Sequence, residues 1–400
     1  MNFIPKVLIV ATHPIQYQIP WFQALAKRSD ISLEVLFLSI LDAKQQGVGF
    51  GIAFEWDIPL LDGYKSHTAK DYLKKTGFNG FVSQYLSSAM LMLRVLQPDV
   101  VILTGWQTLP LLQLLLACKT LKIPCAVRGE SNSLKPRPVL TRIIHRQLLK
   151  IYDSFLVIGK SNRAFYLHNG VPAHKLFSCP YFIDNQRFLN TYHQWLGKKV
   201  TIRENWHIEA SKVCFCYVGK LEPKKRILDL LEALRLLKME AKHELVHLLV
   251  VGTGELMDEA KNIVIKNDLP VTFAGFLNQS EIAKAYVASD CLVLPSDYGE
   301  TWGLVVNEAM ACGLPAIVSD RVGCGMDLVE NGITGEIFPF GNTIALSESI
   351  YLASKNALWL KEMGENARQR IFDRYSIKEL VEGTIASIEY LLVRNGNITK

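Results

Sequence analysis

The sequence has few of the features that mark secreted, membrane-spanning or zinc-binding proteins. Its eight cysteines are scattered and form no C-x-x-C pair, so neither a zinc site nor a redox pair is indicated. The most apolar stretches, such as residues 109–118, are about half as long as a bilayer-spanning helix. Residues 1–11 resemble the approach to a strand rather than a signal peptide. We therefore expect a cytoplasmic protein with reduced thiols.

A strong excess of one charge is also missing. The chain has 44 basic and 38 acidic residues, which gives a net charge of +6 over 400 residues. This modest value provides no argument for a nucleic-acid partner. A chain that is 49% hydrophobic and 20% charged is typical of a soluble enzyme. Its length predicts two domains with sizeable cores.

Buried apolar runs alternate with helical patterns along the first half of the chain. Strands are predicted at 6–11, 33–39, 99–103, 124–127 and 154–158, and helices at 21–28, 81–96, 109–119 and 139–150. Such alternation predicts a parallel, doubly wound sheet. Ligands of such sheets bind on the loops at the carboxyl ends of the strands.

The second half shows the same alternation after a stretch, 182–212, in which the periodicity fades. Strands are predicted at 213–218, 247–251, 271–275, 291–294 and 315–319, and helices at 227–238, 303–313, 343–353, 358–375 and 377–394. The fold class is therefore α/β. We predict a first domain over 1–190, a linker over 191–211, a second domain over 212–375 and a final helical segment over 376–400.

The stretch 290–320 carries the most informative chemistry. Its strand–loop–helix–strand pattern places Glu300 in the loop and Glu308 inside the helix that starts near Gly303. At about 1.5 Å per residue, Glu308 lies roughly 7–8 Å along the helix from Gly303. The helix N-terminus between the two carboxylates suits a phosphate. This order fits a nucleotide-sugar, whereas the alternative is a solvated helix with two surface glutamates.

A basic loop, 219–226, follows the strand at 213–218 and precedes a helix. Lys220 and Lys225 suit a diphosphate, because their flexible ammonium groups would lie beside a helix N-terminus. A solvated lysine cluster is the alternative.

These two stretches together resemble the donor site of retaining GT-B glycosyltransferases, the E-x7-E type of glycosyltransferase family 4 (glycosyl transferases group 1). The matching residues are Glu300, Glu308, Gly303, Leu304, Gly219 and Lys225. Lys220 stands where most members have Arg. The resemblance implies a GT-B fold, with two facing Rossmann-like, doubly wound domains and a cleft between them. It also implies that the first domain binds the acceptor, that the second binds the donor, and that the final helix packs back toward the first.

The implied activity is that of a retaining hexosyltransferase. A hexose would pass from a nucleoside diphosphate sugar to an acceptor hydroxyl, in polysaccharide, lipopolysaccharide or other glycoconjugate biosynthesis. The nucleotide-sugar is a co-substrate, and no metal or other cofactor is expected. The implied catalytic residues are Glu300 and Lys225, and the position of His13 in a strand-end loop makes it a third catalytic candidate. The implied donor-binding residues are Gly219, Lys220, Lys225, Phe276, Glu300, Gly303, Leu304, Val305 and Glu308.

Three loops at strand ends in the first half are candidates for acceptor binding. They carry His13 and Gln16, Trp106, and Arg128 and Glu130. His13 precedes a proline and is therefore either a cleft residue or a structural histidine. Trp106 is either a sugar platform or part of the core. Arg128 and Glu130 form either an acceptor or phosphate contact, or a surface pair.

The helix at 139–150 carries Arg142, Arg146 and Lys150 at successive i+4 positions. Such a basic amphipathic helix can lie on an anionic membrane, attract a phosphorylated acceptor, or simply be a solvated face. Peripheral contact with the inner face of a membrane would suit a lipid-linked acceptor, which many members of the family glycosylate.

Two rival functions remain. A non-catalytic GT-B scaffold could bind a nucleotide-sugar or a partner enzyme. A nucleotide-sugar epimerase would need acid/base groups that face the sugar and no acceptor. Measured donor hydrolysis or transfer separates the scaffold from the enzyme.

Overall fold

The computed structural model describes residues 3–77, 80–394 and 396. This part of the chain divides into two compact units. The first contains the residues up to Leu41, Pro59–Tyr181 and the residues from Ile377, and the second contains Asp42–Ile58 and Phe182–Ser376. These bounds differ from those drawn on the sequence, because Asp42–Ile58 and residues 182–190 group with the second unit.

A parallel sheet forms the centre of the first unit. The strands of this half of the chain are β1 (Lys6–Ala11), β2 (Ser32–Phe37), β3 (Lys65–Thr68), β4 (Leu73–Lys75), β5 (Gln84–Leu86), β6 (Val100–Leu103), β7 (Cys125–Val127), β8 (Ser154–Val157) and β9 (Leu176–Ser178). The order in the main sheet is β3-β2-β1-β6-β7-β8-β9, and β4 and β5 pair separately. Residues 7–10 of β1 are completely buried. Such two-sided burial is why the strands have continuous apolar runs.

The helices of the first half are α1 (Ile19–Ala26), α2 (Ala43–Gln46), α3 (Ala89–Leu96), α4 (Leu109–Leu121), α5 (Val139–Leu149) and α6 (Lys160–His168). The predicted helix at 81–96 is wrong before Ala89. The side chain of Ser88 caps α3 by accepting a hydrogen bond from the Leu91 amide. The residues before this cap instead form β5, which pairs antiparallel with β4. The strand β9 and the helix α6 were not predicted.

The second unit contains another parallel sheet. Its strands are β10 (Val213–Val218), β11 (Val246–Val251), β12 (Val271–Gly275), β13 (Cys291–Leu294), β14 (Ala316–Ser319) and β15 (Gly335–Phe338), in the order β12-β11-β10-β13-β14-β15. The chain winds outward in both directions from β10, which pairs with β11 on one side and β13 on the other. In open α/β sheets, ligands bind at the carboxyl ends of the strands beside such a reversal.

The helices of the second half are α7 (Asn185–Leu196), α8 (Lys199–Asn205), α9 (Ile227–Met239), α10 (Met257–Asn267), α11 (Ile282–Ala288), α12 (Leu304–Ala311), α13 (Gly325–Leu328), α14 (Thr343–Ser354), α15 (Ala357–Arg374) and α16 (Ile377–Arg394). Most of the predicted linker therefore lies in α7 and α8. The buried guanidinium of Arg203 on α8 donates to the Ala288 carbonyl at 2.8 Å and to Asp290 at 2.6 Å. These contacts fix α8 within the second unit.

The helix α16 packs on β8, β9 and α1 of the first unit. The Trp21 indole donates a hydrogen bond to the Thr384 hydroxyl at 3.2 Å. Ser154 and Ser387 share a buried hydroxyl–hydroxyl hydrogen bond of 2.8 Å. A Cβ atom at Gly383 would lie only 1.8 Å from the Ser178 carbonyl oxygen. The close approach of α16 to β9 therefore requires glycine at that position.

Within the described residues, every helix is either too short or too polar to cross a bilayer.

Candidate active site

The loop after β10 is held by a close approach between two backbone turns. A Cβ atom at Gly252 would lie 2.0 Å from the Gly219 carbonyl oxygen, and φ at Gly252 is +123°. The Gly219 amide donates to the Val251 carbonyl at 3.0 Å. These contacts fix the start of the loop that carries Lys220 and Lys225.

The loop after β13 is attached to the same basic loop. The Asp297 amide donates to the Lys224 carbonyl at 2.9 Å, and the Glu300 amide donates to the Asp297 carbonyl at 3.0 Å. The two strands before these loops are neighbours in the sheet. As a result, Lys225 and Glu300, which are 75 positions apart in the sequence, meet at one edge of the sheet.

The ammonium of Lys225 donates to the carboxylate of Glu300 and forms an ion pair with it. Each side chain is only 14% exposed. Such a pair is screened less by salt than a surface pair. The structure thus brings together two of the residues that the sequence indicated as catalytic.

The helix α12 begins directly beyond this ion pair. Gly303 is its N-cap residue with φ +101°, and no side chain of the described part caps this end. A Cβ atom at Gly303 would lie 3.0 Å from Leu294 and 3.1 Å from Val322. Glycine therefore allows the turn into α12, whose first-turn amides and dipole favour an anion. Leu304 and Val305 belong to this first turn.

Glu308 is not a surface glutamate. It lies in α12 with 1% of its surface exposed. The Tyr286 hydroxyl donates a hydrogen bond of 2.5 Å to its Oε2 atom. The alternative of a solvated helix with two surface glutamates is therefore wrong. Tyr286 was missed on the sequence, although a tyrosine inside the apolar helix α11 needs a polar partner for its hydroxyl.

Lys220 and Phe276 both contact residues 48–54. The sequence did not predict these contacts. The Lys220 ammonium donates to the Val48 carbonyl at 2.9 Å and lies 4.7 Å from the centre of the Phe50 ring. Burial lowers the pKa of Lys220. The Phe276 ring packs against Phe50 and Phe54, with centroid distances of 5.2 and 4.5 Å.

The candidate acceptor residues of the first unit fall into different environments. His13 is partly buried, with its Nδ1 atom 3.1 Å from the Thr12 hydroxyl, and burial lowers its pKa. Gln16 is buried. The Trp106 ring stacks on Phe165, with a centroid distance of 6.3 Å and an interplanar angle of 15°. A Cβ atom at Gly129 would lie 2.3 Å from that ring, as expected for the packing alternative.

Arg128 and Glu130 do not form a surface pair. Arg128 is 3% exposed, and its guanidinium lies 4.4 Å from the Tyr181 ring centre and 5.5 Å from that of Trp21. Among the described residues, its Nε and Nη2 atoms have no hydrogen-bond partner. The Tyr181 hydroxyl donates to Glu130. A buried cation with unused donors is costly unless a ligand supplies acceptors.

The helix α5 presents both charge and apolar surface to solvent. Arg142, Arg146 and Lys150 are exposed. Between and beside them, Leu140 is 68% exposed and Ile143 is 52% exposed. A groove of about 720 Å³ runs along this face. Its cationic lining residues are Lys135, Arg137, Arg142 and Arg146.

In the part of the chain that the structure describes, no three His, Cys, Asp or Glu side chains are grouped closely enough to hold a metal ion. All eight cysteines are buried and unpaired.

Residues 198–370 match the family model of the glycosyl transferases group 1. The chain is similar to N-acetyl-alpha-D-glucosaminyl L-malate synthase of Bacillus anthracis, with 28% identity over 184 residues, which is 45% of this chain and 46% of that protein. It is also similar to an uncharacterized glycosyltransferase of Methanocaldococcus jannaschii, with 26% identity over 47% of each chain. The matches thus span about half the length of these curated relatives.

Solved structures resemble the chain over almost its whole length. A glycosyltransferase from Rickettsia africae matches 98% of this chain and 99% of its own, with 16% identity and a TM-score of 0.74. Anabaena HepE, solved in complex with UDP and glucose, matches 96% and 99%, with 15% identity and a TM-score of 0.68. These matches confirm the predicted fold class, and the family match confirms the predicted resemblance to the glycosyl transferases group 1. Residues 198–370 are therefore similar to the glycosyl transferases group 1, in a chain with the fold of the GT-B glycosyltransferases.

Proposed function

We propose that this protein transfers a hexose from a nucleoside diphosphate sugar to an acceptor hydroxyl, with retention at the anomeric carbon. The observation that carries the proposal is the Lys225–Glu300 ion pair, which lies next to the uncapped N-terminus of α12. The pair lies where the strand order of the sheet reverses. A cation, the first-turn amides of a helix and a carboxylate are thus collected where α/β sheets bind phosphorylated ligands.

In the proposed reaction, the leaving group is the nucleoside diphosphate, and its negative charge grows as the bond to the sugar breaks. Lys225, Lys220 and the first-turn amides of α12 would stabilise that charge. Once the donor is bound, these groups are already in place as the charge grows, so they favour the transition state without further reorganisation. When the diphosphate takes up Lys225, Glu300 is released to accept hydrogen bonds from sugar hydroxyls and to offset positive charge at the anomeric centre.

Glu308 would hold the ribose hydroxyls of the donor. The hydrogen bond from Tyr286 fixes the orientation of its carboxylate. Phe276 would lie beside the base. We propose that the donor binds without a metal or other cofactor, as the family resemblance implies.

The acceptor is proposed to bind the first unit, through His13, Gln16, Trp106, Arg128 and Glu130. The unused guanidinium donors of Arg128 support a hydroxylated or anionic acceptor. The lowered pKa of His13 keeps its imidazole neutral at pH 7 and therefore able to accept a proton. Trp106 contributes by packing behind this region rather than as an open platform.

A glycan or lipid-linked acceptor is proposed, with peripheral attachment of α5 to the inner face of a membrane. The exposed apolar residues beside Arg142 and Arg146 support this placement. Lys150, at the end of the same helix, would add a third cation. Helices of this composition bind anionic lipid through both charge and buried apolar area.

The donor proposal is tested by calorimetry and thermal shift with UDP, GDP, ADP and their sugars. A nucleotide at about 100 times its Kd should stabilise the fold by about 2.7 kcal/mol. Glu308→Ala should lose this effect, whereas Glu362→Ala, which removes an exposed glutamate of α15, should keep it. Failure of every nucleotide to shift wild type at millimolar concentration would overturn the donor site.

Transfer itself is tested with the donor so identified. Loss of the sugar from the donor, with formation of an α- or β-linked product determined by NMR, distinguishes retention from inversion. Nucleotide binding without any hydrolysis or transfer would instead favour a non-catalytic scaffold. Interconversion of the sugar without an acceptor would favour an epimerase.

A further inference from the structure

The segment Asp42–Ile58 belongs to the second unit although its flanking residues belong to the first. It is called the strap here. The geometry points to a role for the strap as an internal ligand, which covers the nucleotide end of the donor site and must be displaced when the donor binds. This inference rests on the proposed function, because it assigns the strap to the same donor site.

The strap first contacts Lys220, which is proposed to bind the diphosphate. The Val48 carbonyl accepts a hydrogen bond from the Lys220 ammonium at 2.9 Å, and the Phe50 ring lies under the same ammonium at 4.7 Å. Gly49 permits the approach, since its φ is +86° and a Cβ atom there would lie 2.8 Å from the Lys220 Nζ atom. A neutral carbonyl and a ring face thus take the place that a phosphate oxygen would occupy.

The second contact is with the proposed base position. Phe54 lies 4.5 Å from Phe276 at a tilt of 40°, and Phe50 meets Phe276 edge-on at 5.2 Å. Trp56 packs edge-on against Phe54 at 4.9 Å. With these rings in place, two strap aromatics already occupy the surface of Phe276, so a base can stack there only after they move.

Polar contacts order the start of the strap internally and fasten its end to the rest of the second unit. At its start, Asp42 and Gln45 form a reciprocal cap on α2, with bonds of 2.8 and 3.0 Å. At its end, Asn278 donates to the Glu55 carbonyl at 2.7 Å. Asp57 accepts from the backbone amide and the hydroxyl of Ser280. The Phe54 amide also donates to the Ala43 carbonyl at 3.1 Å. Displacement of Val48 to Phe54 must therefore break this bond, whereas the contacts of Glu55 and Asp57 can keep the end of the strap attached.

The balance of forces favours exchange of the strap for a nucleotide. A diphosphate offers ionised oxygens to Lys220 and Lys225, so the attraction between opposite charges adds to the hydrogen bonds that these ammonium groups donate. The strap offers Lys220 only a neutral acceptor. A closed strap would lower the apparent affinity for every nucleotide by the fraction of molecules in which it is open.

The test measures nucleotide binding by titration calorimetry in wild type, Phe54→Ala, Phe50→Ala and Val48→Ala. Each phenylalanine variant should bind the nucleotide about fivefold more tightly, the factor that corresponds to about 1 kcal/mol for one aromatic pair. Val48→Ala is the matched control, because it trims a side chain that is 72% exposed and keeps the carbonyl. Its Kd should equal that of wild type.

Hydrogen exchange of residues 42–58 provides a second readout that needs no variant of the strap. Exchange should become faster in wild type saturated with nucleotide, and in Phe276→Ala without nucleotide. Slower exchange with nucleotide, or weaker binding in Phe54→Ala, would make the strap a base platform and overturn the proposal. Equal Kd values in all four proteins would also overturn it while leaving the donor function intact. Absence of binding in every protein would overturn the donor function itself.

Discussion

The hydroxyl of Tyr286 and the carboxylate of Glu308 form a hydrogen bond of 2.5 Å between two side chains that are almost completely buried. Tyr286→Phe leaves a buried carboxylate without this donor, which costs about 1–3 kcal/mol of the free energy of unfolding. Urea denaturation measures the loss. Tyr85→Phe, at a position 38% exposed, should change stability by less than about 0.5 kcal/mol. Equal stability of both variants would contradict the inferred strength of the buried bond.

Loss of Lys225 should affect catalysis more than folding. Removing one preorganised charge-stabilising donor lowers kcat by about 10²–10³-fold, and Lys225→Met should fall in this range in a transfer assay. Lys224→Met is the matched control, since its ammonium pairs with Glu222 and not with Glu300. A Lys225→Met enzyme with wild-type kcat would exclude Lys225 from the reaction.

His247 should make stability depend on pH. Its imidazole lies 3.0 Å from the Thr272 hydroxyl, and burial, aided by Arg203 and Lys212, lowers its pKa from 6.5 to about 4. The unfolded chain therefore binds a proton before the folded protein does. The resulting stability is present above pH 6.5 and is lost as the pH falls toward 4, by about 3 kcal/mol.

The measurement is urea denaturation at several pH values between 7 and 4. His247→Gln should flatten the profile in this window, whereas His174→Gln, at an exposed position, should leave its slope unchanged. Identical slopes for wild type and His247→Gln would show that other groups control acid stability.

Gly252→Ala should disrupt the basic loop. The new Cβ atom would collide with the Gly219 carbonyl at 2.0 Å, at a φ that disfavours alanine. Strain of this kind costs about 3 kcal/mol or more, and the shifted loop should also weaken nucleotide binding. Gly197→Ala is the control, because no heavy atom lies within 4 Å of its Cβ position. Thermal melts and calorimetry would show whether only the first variant is impaired.

Membrane attachment through α5 predicts that Arg142→Glu/Arg146→Glu sediments less with vesicles that contain anionic lipid. Each basic residue near such a surface contributes about 1 kcal/mol, so two reversals should abolish binding. The matched control reverses Lys160 and Arg163, two exposed cations of α6. Equal sedimentation of both variants would assign α5 to a solvated face.

Prediction from the sequence was most successful where candidate site residues lie on an element that its own local pattern delimits. Gly303 was placed at the start of α12 and Glu308 inside it, because a glycine, an apolar run and a second glycine delimit a helix. The burial of Glu308 could not be foreseen, since its partner Tyr286 lies on another helix. The helix predicted at 81–96 was wrong before Ala89 for a similar reason. The pairing of β4 with β5, which involves residues outside the helix, competes with local helical propensity.

The contacts of the strap could not be predicted from the sequence, for a different physical reason. Its residues form a polar, glycine-rich loop without periodicity, so nothing local indicates a partner. Its contacts with Lys220, Phe276 and Asn278 join positions that are far apart in the sequence, up to 223 residues for Asn278 and Glu55. Aromatic residues in such a loop indicate an unseen contact surface, but they do not say which one.

The attachment of α16 has a consequence for the order in which the chain folds. Trp21 and Thr384 are hydrogen-bonded although 363 positions separate them, and Gly383 closes on β9. During synthesis, the first sheet is made early, yet the helix that covers part of it leaves the ribosome only after the whole second unit. Domains made first usually fold first, but here we expect the first unit to complete its folding, and to cover this apolar surface, only when its last helix has been made.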